Sequence, residues 1–277
     1  MHTDLRFLSP RWGYENIPWD SFLKQVKDAS YSGIEWYPFA ESGNYKEVLD
    51  LLNHYELDYA IVMAVVRPYQ NFELYLTHLQ EDLIKLIEIG LGIKAPLFIS
   101  AQTGREFFND HQIQQCLEVC QQIQDQFNIP VYQETHRNKW SFAAHRVGEI
   151  LMKNRTMRLT LDVSHWFCVS ESYLEDQQLA VSEALRHSCH IHARVGHTQG
   201  PQVWDPAAEE YKQALDAHLK IWDKWVADRR EKNEPISITT EFGPAPYLTK
   251  GDRIISLTDE QWRLNIWMKD FLKNRYS

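Results

Sequence analysis

Residues 157–165 read MRLTLDVSH and show the pattern on which the fold prediction rests. The run 157–162 is short and mostly aliphatic or β-branched, as is typical of a buried strand. It ends in the carboxylate of Asp162, and His165 follows three residues later. Longer segments of helical period lie on both sides, which indicates a parallel strand joined to its neighbours by crossover helices.

The same alternation extends over the whole chain. Apolar side chains recur at helical spacing between the short runs, for example in residues 72–87 and 113–123. The predicted strands are residues 5–8, 33–37, 59–65, 96–100, 130–135, 157–162, 189–194 and 236–242. Eight units of strand and helix predict a single α/β domain over residues 1–277, a (β/α)8 TIM barrel.

Other sequence features agree with one closed barrel. An open doubly wound sheet usually has a glycine-rich turn after its first strand, but residues 9–14 read SPRWGY. The chain contains no GxGxxG, P-loop, GxSxG or HExxH motif. The last helix is predicted to begin with a capping box formed by Thr258 and Gln261.

Composition and charge limit the function classes. A net charge of −9 disfavours a nucleic acid partner, since binding phosphates needs clustered Lys and Arg. No apolar run approaches the roughly 18 residues that cross a bilayer, so we expect no membrane association. Residues 1–6 (MHTDLR) show no basic segment followed by an apolar one, and the four cysteines lack zinc-site spacing. A cytoplasmic protein with free thiols is therefore expected.

Four consecutive predicted strands end in groups that bind metal ions: Glu134, Asp162, His192 and Glu241. Neighbouring strands lie about 4.8 Å apart, so their carboxyl ends can converge on one ion at the barrel mouth. A single strand-end glutamate is usually solvated or ion-paired, and only the joint placement favours a site. Mn²⁺, Mg²⁺ or Co²⁺ would suit these ligands, with Zn²⁺ also open. His190 competes with His192, which lies nearer the catalytic end.

The same residues carry a resemblance to the xylose isomerase-like superfamily of barrels. The chain resembles in particular its sugar phosphate isomerase/epimerase group, which includes the ketose 3-epimerases. The matching runs are ETH at Glu134, LDVSH at Asp162 and His165, HIHAR at His192, TEFG at Glu241, and GIEW at residues 33–36. The resemblance spans nearly the whole chain, and its short motifs specify the superfamily better than the substrate.

The resemblance implies a divalent-metal-dependent isomerase or epimerase that acts on a sugar or sugar derivative. Glu134, Asp162, His192 and Glu241 would hold one divalent metal ion. The two glutamates would also act as catalytic acid and base, exchanging a proton next to a carbonyl through a metal-stabilised enediolate. Return of the proton to the neighbouring carbon gives isomerisation, and return from the other face gives epimerisation.

Further residues are predicted to bind the carbohydrate. His165 matches the position that contacts a substrate oxygen in the epimerases. Arg194 follows His192 by two residues, which departs from the wider arginine spacing of that branch, and its role as a clamp for an anion or hydroxyl is less secure. His136 lies two residues past Glu134, and Trp12 and Trp36 could stack on a sugar ring or serve as ordinary packing.

Several alternatives remain open from the sequence. A dehydratase acting on a keto-inositol begins with the same proton abstraction. A metal-dependent phosphodiester hydrolase, like the endonucleases of this superfamily that act at abasic sites, would need more histidines and a basic surface. A third alternative is a barrel that binds a sugar without turnover. Phosphorylation of the sugar is undecided, since only Arg11, Arg67, Arg137 and Arg194 are candidates to bind a phosphate, and a homo-oligomer is an open possibility.

Overall fold

The computed structural model of the protein describes residues 4–41, 43–248 and 255–277. Residues 1–3, part of the chain start considered above, lie outside this range. Eight strands form one closed barrel in the order β1 to β8. The strands are β1 Leu5–Pro10, β2 Gly33–Trp36, β3 Asp58–Ala64, β4 Ile99–Gln102, β5 Val131–Glu134, β6 Arg158–Leu161, β7 Ser188–His192 and β8 Ile236–Thr239.

Helices cover the outside of the barrel. The α-helices are α1 Trp19–Asp28, α2 Tyr45–His54, α3 Phe72–Gly90, α4 Asp110–Phe127, α5 Ala144–Lys153, α6 Val163–Ser170, α7 Gln178–His187, α8 Lys212–Glu231 and α9 Leu257–Tyr276. Asn44, Asn71 and Asn109 cap α2, α3 and α4, because their side chains accept hydrogen bonds from backbone amides of the first turn.

Parallel pairing closes the barrel. β1 pairs with β2 on one side and with β8 on the other, where Leu5 lies opposite Ile236. The predicted (β/α)8 TIM barrel is therefore confirmed. Each predicted strand overlaps an observed one, and the largest difference over both ends is at β4, which spans Ile99–Gln102 rather than residues 96–100. This difference matters because Gln102 contacts the candidate site.

The predicted start of the last helix was two residues late. Ser256 is the N-cap of α9, and its hydroxyl accepts a hydrogen bond of 3.0 Å from the backbone amide of Asp259. Gln261 instead donates a hydrogen bond of 2.8 Å to the backbone carbonyl of Trp12. The capping-box pattern failed here because Gln261 is buried against the β1 loop rather than exposed at the helix start.

Two further expectations concern the chain as a whole. The cysteines are free thiols, and Cys116 and Cys120 are buried together on α4. Within residues 4–41, 43–248 and 255–277, no helix has both the length and the apolar character to span a bilayer.

Candidate active site

A cavity of about 270 Å³ opens at the carboxyl ends of the strands. Glu134 and Glu241 line it from the second half of the barrel, together with His136 and Arg194. Glu35 lines it from β2. Catalytic residues of β/α barrels are found at this end, so the cavity is the candidate active site.

Glu134 is the last residue of β5, and its side chain is held by two residues of β4. Ser100 Oγ donates to Oε2 at 3.1 Å, and Gln102 Nε2 donates to Oε1 at 2.9 Å. The carboxyl is only 1% exposed. Burial raises the pKa of Glu134 to about 8, although the neighbouring His192 opposes the shift. Without a bound cation, Glu134 is therefore mostly protonated at neutral pH.

His192 ends β7 and lies between carboxylates on both sides. Its Nε2 is 3.1 Å and 2.9 Å from the two carboxylate oxygens of Glu35. Its Nδ1 is 3.1 Å from Glu241 Oε2 and 3.9 Å from Glu134 Oε1. Burial would lower the pKa of His192, but the charges of Glu241, Glu35 and Glu134 outweigh it and raise the pKa well above the ordinary value.

Two buried polar atoms at this point lack hydrogen bonds within the described part of the chain. His192 Nδ1 and Glu241 Oε2 form an ion pair at 3.1 Å but without hydrogen-bond geometry, and Glu241 Oε2 also lies 3.5 Å from Arg194 Nη2. Buried polar atoms are normally hydrogen-bonded, and a cation bound between these two would pair with both. The donor atoms of Glu134, His192 and Glu241, here called the three-donor cluster, all lie within 4.8 Å of one another.

The three-donor cluster fits a divalent cation. Two carboxylates and one imidazole form a mostly oxygen donor set of the kind that hard or borderline divalent ions accept. Glu35 holds the Nε2 side of His192, which leaves Nδ1 directed at the cluster, and such a carboxylate partner is the usual support of a metal-binding histidine. The residues could therefore hold one ion.

The two glutamates of the cluster have opposite pKa shifts. Burial would raise the pKa of Glu241, but the charges of His192 and Arg194 outweigh it and lower the pKa to about 2. Glu134 is shifted upward, as described above. Two carboxyl groups whose environments push their pKa values apart are typical of an acid and base pair.

Asp162, the remaining predicted ligand, has other partners. It follows β6 and caps α6, with Oδ1 accepting hydrogen bonds from Ser164 N at 2.9 Å and Ser164 Oγ at 2.5 Å. Oδ2 accepts from Arg194 Nη2 at 2.5 Å. The structure thus brings together Glu134, His192 and Glu241, while Asp162 lies beside them in an ion pair with Arg194.

His165 lies beneath the cavity lining and contacts two arginines. Its Nδ1 is 3.0 Å from Arg137 Nη1, and its Nε2 is 2.9 Å from Arg194 Nη2. Burial lowers the pKa of His165 well below its ordinary value, so the ring is neutral and only one nitrogen can accept a hydrogen bond. His136, which does line the cavity, packs against this ring with centroids 4.0 Å apart.

The two predicted stacking residues lie in different places. Trp12 is 36% exposed at the cavity rim, where its ring contacts Tyr247 edge-on at 5.3 Å. Trp36 is 1% exposed and packs against Trp19 and Tyr45, and it is not among the described residues that line the cavity. Its predicted contact with the substrate therefore has no support in this arrangement.

The choice between His190 and His192 follows from their partners. His190 Nδ1 lies 2.9 Å from Ser237 Oγ, and Nε2 lies 2.9 Å from Thr239 Oγ1. Both nitrogens are thus engaged by hydroxyls inside the barrel, whereas His192 faces the carboxylates.

Sequence reasoning gave too little weight to four residues that contact the site. Glu35 and Gln102 are polar residues in or at the end of a strand, a signal already used for the second half of the barrel. Ser100 precedes Gln102 by two residues, which places both side chains on one face of β4. Tyr247 lies in the loop after β8, where its hydroxyl accepts a hydrogen bond of 2.9 Å from Arg137, and no sequence pattern indicates it.

No known family model and no curated protein matches the chain. Solved structures do share its fold. A xylose isomerase-like TIM barrel protein from Mycobacterium smegmatis in complex with magnesium has 12% identity and a TM-score of 0.61, with all of both chains covered. A D-allulose 3-epimerase from Methylomonas sp. has 13% identity and a TM-score of 0.61, with 99% of each chain covered.

A probable 3-DHS dehydratase from Bacillus anthracis is also similar, at 16% identity and a TM-score of 0.59, with 94% of this chain and 98% of that chain covered. Sugar epimerases, isomerases, a dehydratase and an AP endonuclease all occur among the structures that share the fold. The chain thus shares its barrel fold with these structures, while identities at this level leave the reaction to be argued from the site.

Proposed function

We propose that the protein is a divalent-metal-dependent isomerase or epimerase acting on an unphosphorylated keto sugar or a derivative of one. The observation that carries the proposal is the placement of Glu134 and Glu241 in one cavity, where both face His192 Nδ1, at 3.9 Å and 3.1 Å. Such a pair is suited to removing a proton and returning one.

The cation would be held by the three-donor cluster, Glu134, His192 and Glu241. When bound, it would polarise the substrate carbonyl and so make the neighbouring C–H bond more acidic. Magnesium in one barrel of the same fold supports this part of the proposal. We leave the identity of the ion to measurement.

The chain's own residues account for the proton transfers. An ionised glutamate, for which Glu241 is suited by its low pKa, takes the proton from the carbon next to the carbonyl. The electron pair of the broken C–H bond forms the C=C bond of an enediolate, and the former carbonyl oxygen becomes anionic. Glu134, once it has taken up a proton from solvent, then delivers that proton to the enediolate. Delivery to the opposite face of the same carbon re-forms the original carbonyl and gives epimerisation. Delivery to the former carbonyl carbon gives isomerisation, in which the hydroxyl proton of the deprotonated carbon passes to the former carbonyl oxygen and the new carbonyl forms.

Arg194, His136 and Trp12 line the same cavity and would orient the sugar. The guanidinium of Arg194 can donate to a substrate oxygen, and His136 is neutral because burial lowers its pKa to about 3. Trp12 offers an aromatic face at the rim, where the apolar face of a sugar ring can stack.

The charges around the cavity favour a substrate without phosphate. Arg11 pairs with Glu41 at 2.8 Å, and Arg194 pairs with Asp162. Arg67 pairs with acidic residues of α3, and Arg137 is bonded to Tyr247. Each of the four arginines that could bind phosphate thus has a partner already. The cavity lining also carries more carboxylates than arginines, which disfavours an anionic ligand.

Dehydration is the second candidate function. It begins with the same proton abstraction, and a probable dehydratase is among the structures with this fold. The difference lies in the substrate, which would need a leaving hydroxyl on the carbon next to the enediolate. The structure holds the same groups for both reactions, so the product decides between them.

The test is solvent proton exchange. The protein is incubated with Mn²⁺ and a panel of free and phosphorylated ketoses in D₂O, and deuterium next to the carbonyl is followed by NMR. We expect metal-dependent incorporation into an unphosphorylated sugar, and a loss of about 10²- to 10⁴-fold in Glu134→Gln and Glu241→Gln. Glu118→Gln, on the exposed face of α4, is the control and keeps the wild-type rate.

The outcomes separate the candidates. Incorporation without loss of water supports the isomerase or epimerase, whereas formation of an unsaturated or deoxy product supports the dehydratase. Full exchange by both glutamine variants would contradict the acid and base roles, and exchange limited to phosphorylated sugars would contradict the charge argument.

A further inference from the structure

The ion pair of Asp162 and Arg194 lies directly beside the three-donor cluster. Both side chains are buried, at 0% and 2% exposure. Asp162 Oδ1 already accepts two hydrogen bonds from Ser164, and Oδ2 accepts a short, charge-assisted bond from Arg194. The carboxylate thus has strong donors on both oxygens.

Arg194 separates Asp162 from the cavity. The guanidinium lines the cavity, whereas Asp162 is not among the described residues that do. Arg194 is held on several sides, because its Nε donates to Ser164 Oγ at 3.3 Å and its Nη2 lies 3.5 Å from Glu241 Oε2. The ring of Tyr247 lies 5.1 Å from its guanidinium carbon. This is a positioned cation that faces the substrate space.

We propose that Asp162 is not a ligand of the metal ion but the residue that positions Arg194, and that Arg194 binds a substrate oxygen next to the ion. The inference rests on the proposed function, in which the three-donor cluster holds a divalent cation. It differs from the sequence prediction, which counted Asp162 among four metal ligands.

The physical reason is the cost of exchanging partners. To ligate an ion, Asp162 would have to release Arg194 and leave a buried guanidinium without its main counter-charge, which is strongly unfavourable. An ion held by Asp162 would also lie against the guanidinium, whose Nη2 is 2.5 Å from Asp162 Oδ2, and the two positive charges would repel each other. Asp162 and Arg194 therefore act as one unit.

The first experiment measures Mn²⁺ affinity by isothermal titration calorimetry, with no substrate present. We expect Asp162→Asn to lower the affinity by no more than about tenfold, because it leaves the charge of Arg194 uncompensated 3.5 Å from Glu241 but removes no donor of the ion. His192→Ala, which removes a cluster donor, should lose more than about 100-fold. A loss in Asp162→Asn as large as that in His192→Ala would overturn the inference and leave the proposed function intact.

A double-mutant cycle gives the sharper test. Arg194→Gln removes a positive charge near Glu241 and frees the Asp162 carboxylate, so Mn²⁺ affinity should rise by about tenfold or more. Adding Asp162→Asn in that background should reverse part of the gain, by a factor that differs from its effect in wild type, because both changes act on one ion pair. Equal effects of Asp162→Asn in both backgrounds would count against the inference.

Activity provides an independent readout. Both Asp162→Asn and Arg194→Gln should lower kcat/KM in the exchange assay at saturating Mn²⁺, whereas neither should lose Mn²⁺ affinity to the extent that the lost ligand does in His192→Ala. Should Asp162→Asn fail to fold, a crystal structure of the wild type with Mn²⁺ decides by anomalous diffraction. Ion-to-oxygen distances near about 2.1 Å for Glu134 and Glu241, with Asp162 still on Arg194, support the inference.

The same crystal structure can overturn it, because a bond of that length from Asp162 to the ion would make Asp162 a ligand. Wild-type protein that binds no Mn²⁺ in either experiment contradicts the proposed function itself, and the inference with it. The two failures are therefore distinguishable.

Discussion

Glu35 is expected to control metal affinity without touching the ion. Both of its carboxylate oxygens lie within 3.1 Å of His192 Nε2, and the side chain is 3% exposed. Glu35→Gln keeps the shape and one acceptor oxygen but removes the charge. Loss of such a partner of a metal-binding histidine typically costs 10- to 100-fold in affinity, or about 1.4–2.7 kcal/mol. Because the contact is buried and His192 Nε2 is close to both carboxylate oxygens of Glu35, we expect a loss of metal affinity in the upper half of that range.

The assay is calorimetric titration with Mn²⁺ at pH 8, where protons compete least for His192. Glu15→Gln is the matched control, since Glu15 also lines the cavity but accepts hydrogen bonds from the backbone of Gly13. It removes the same charge from the cavity and should change affinity by less than about threefold, as an indirect charge effect would. Wild-type affinity in Glu35→Gln, or an equal loss in both variants, would refute the argument that Glu35 acts through His192.

Three further predictions follow from the structure. Burial lowers the pKa of His218 to about 4, so as the pH falls below about 6.5 the unfolded state binds a proton before the folded state does. Between pH 7 and 5, the free energy of unfolding measured in urea should therefore fall by about 2 kcal/mol more in wild type than in His218→Gln. Parallel pH profiles of the two proteins would contradict this. A Cβ at Gly243 would lie 2.3 Å from the Trp12 ring, so Gly243→Ala should displace the ring and raise KM by roughly 2- to 10-fold, with an unchanged KM as the contrary result. Mn²⁺ at 100 times its Kd should stabilise the protein by about 2.7 kcal/mol in thermal melts, and the same shift in His192→Ala would place the ion elsewhere.

The sequence predicted the fold well because the strand signal is local. Short apolar runs ending in polar groups define the eight strands, and each predicted strand overlaps an observed one. Glu134, His192 and Glu241 could be grouped for the same reason, since strand order alone brings neighbouring strand ends together. The errors lie at element ends, as at β4, where ending the strand too early concealed the contact of Gln102 with Glu134.

The sequence could not predict which side chains pair with each other. Asp162 and Arg194 occupy neighbouring strand ends, but nothing in their spacing shows that they pair with each other rather than turn toward an ion. Tyr247 could not be foreseen either, because the path of the loop after β8 decides that it reaches Arg137. Such contacts depend on side-chain directions and loop geometry, which periodicity does not encode.

Glu35 on β2 orients His192 on β7, and Ser100 and Gln102 on β4 hold Glu134 on β5. Every member of the three-donor cluster thus comes from the second half of the barrel, β5 to β8, while the groups that orient two of them come from β2 and β4 in the first half. A fragment comprising only β5 to β8 would carry the complete set of donors in an unsupported form. A barrel built by duplicating, exchanging or splitting half-barrels must therefore contain both halves, because the donors and the residues that orient them lie in different halves.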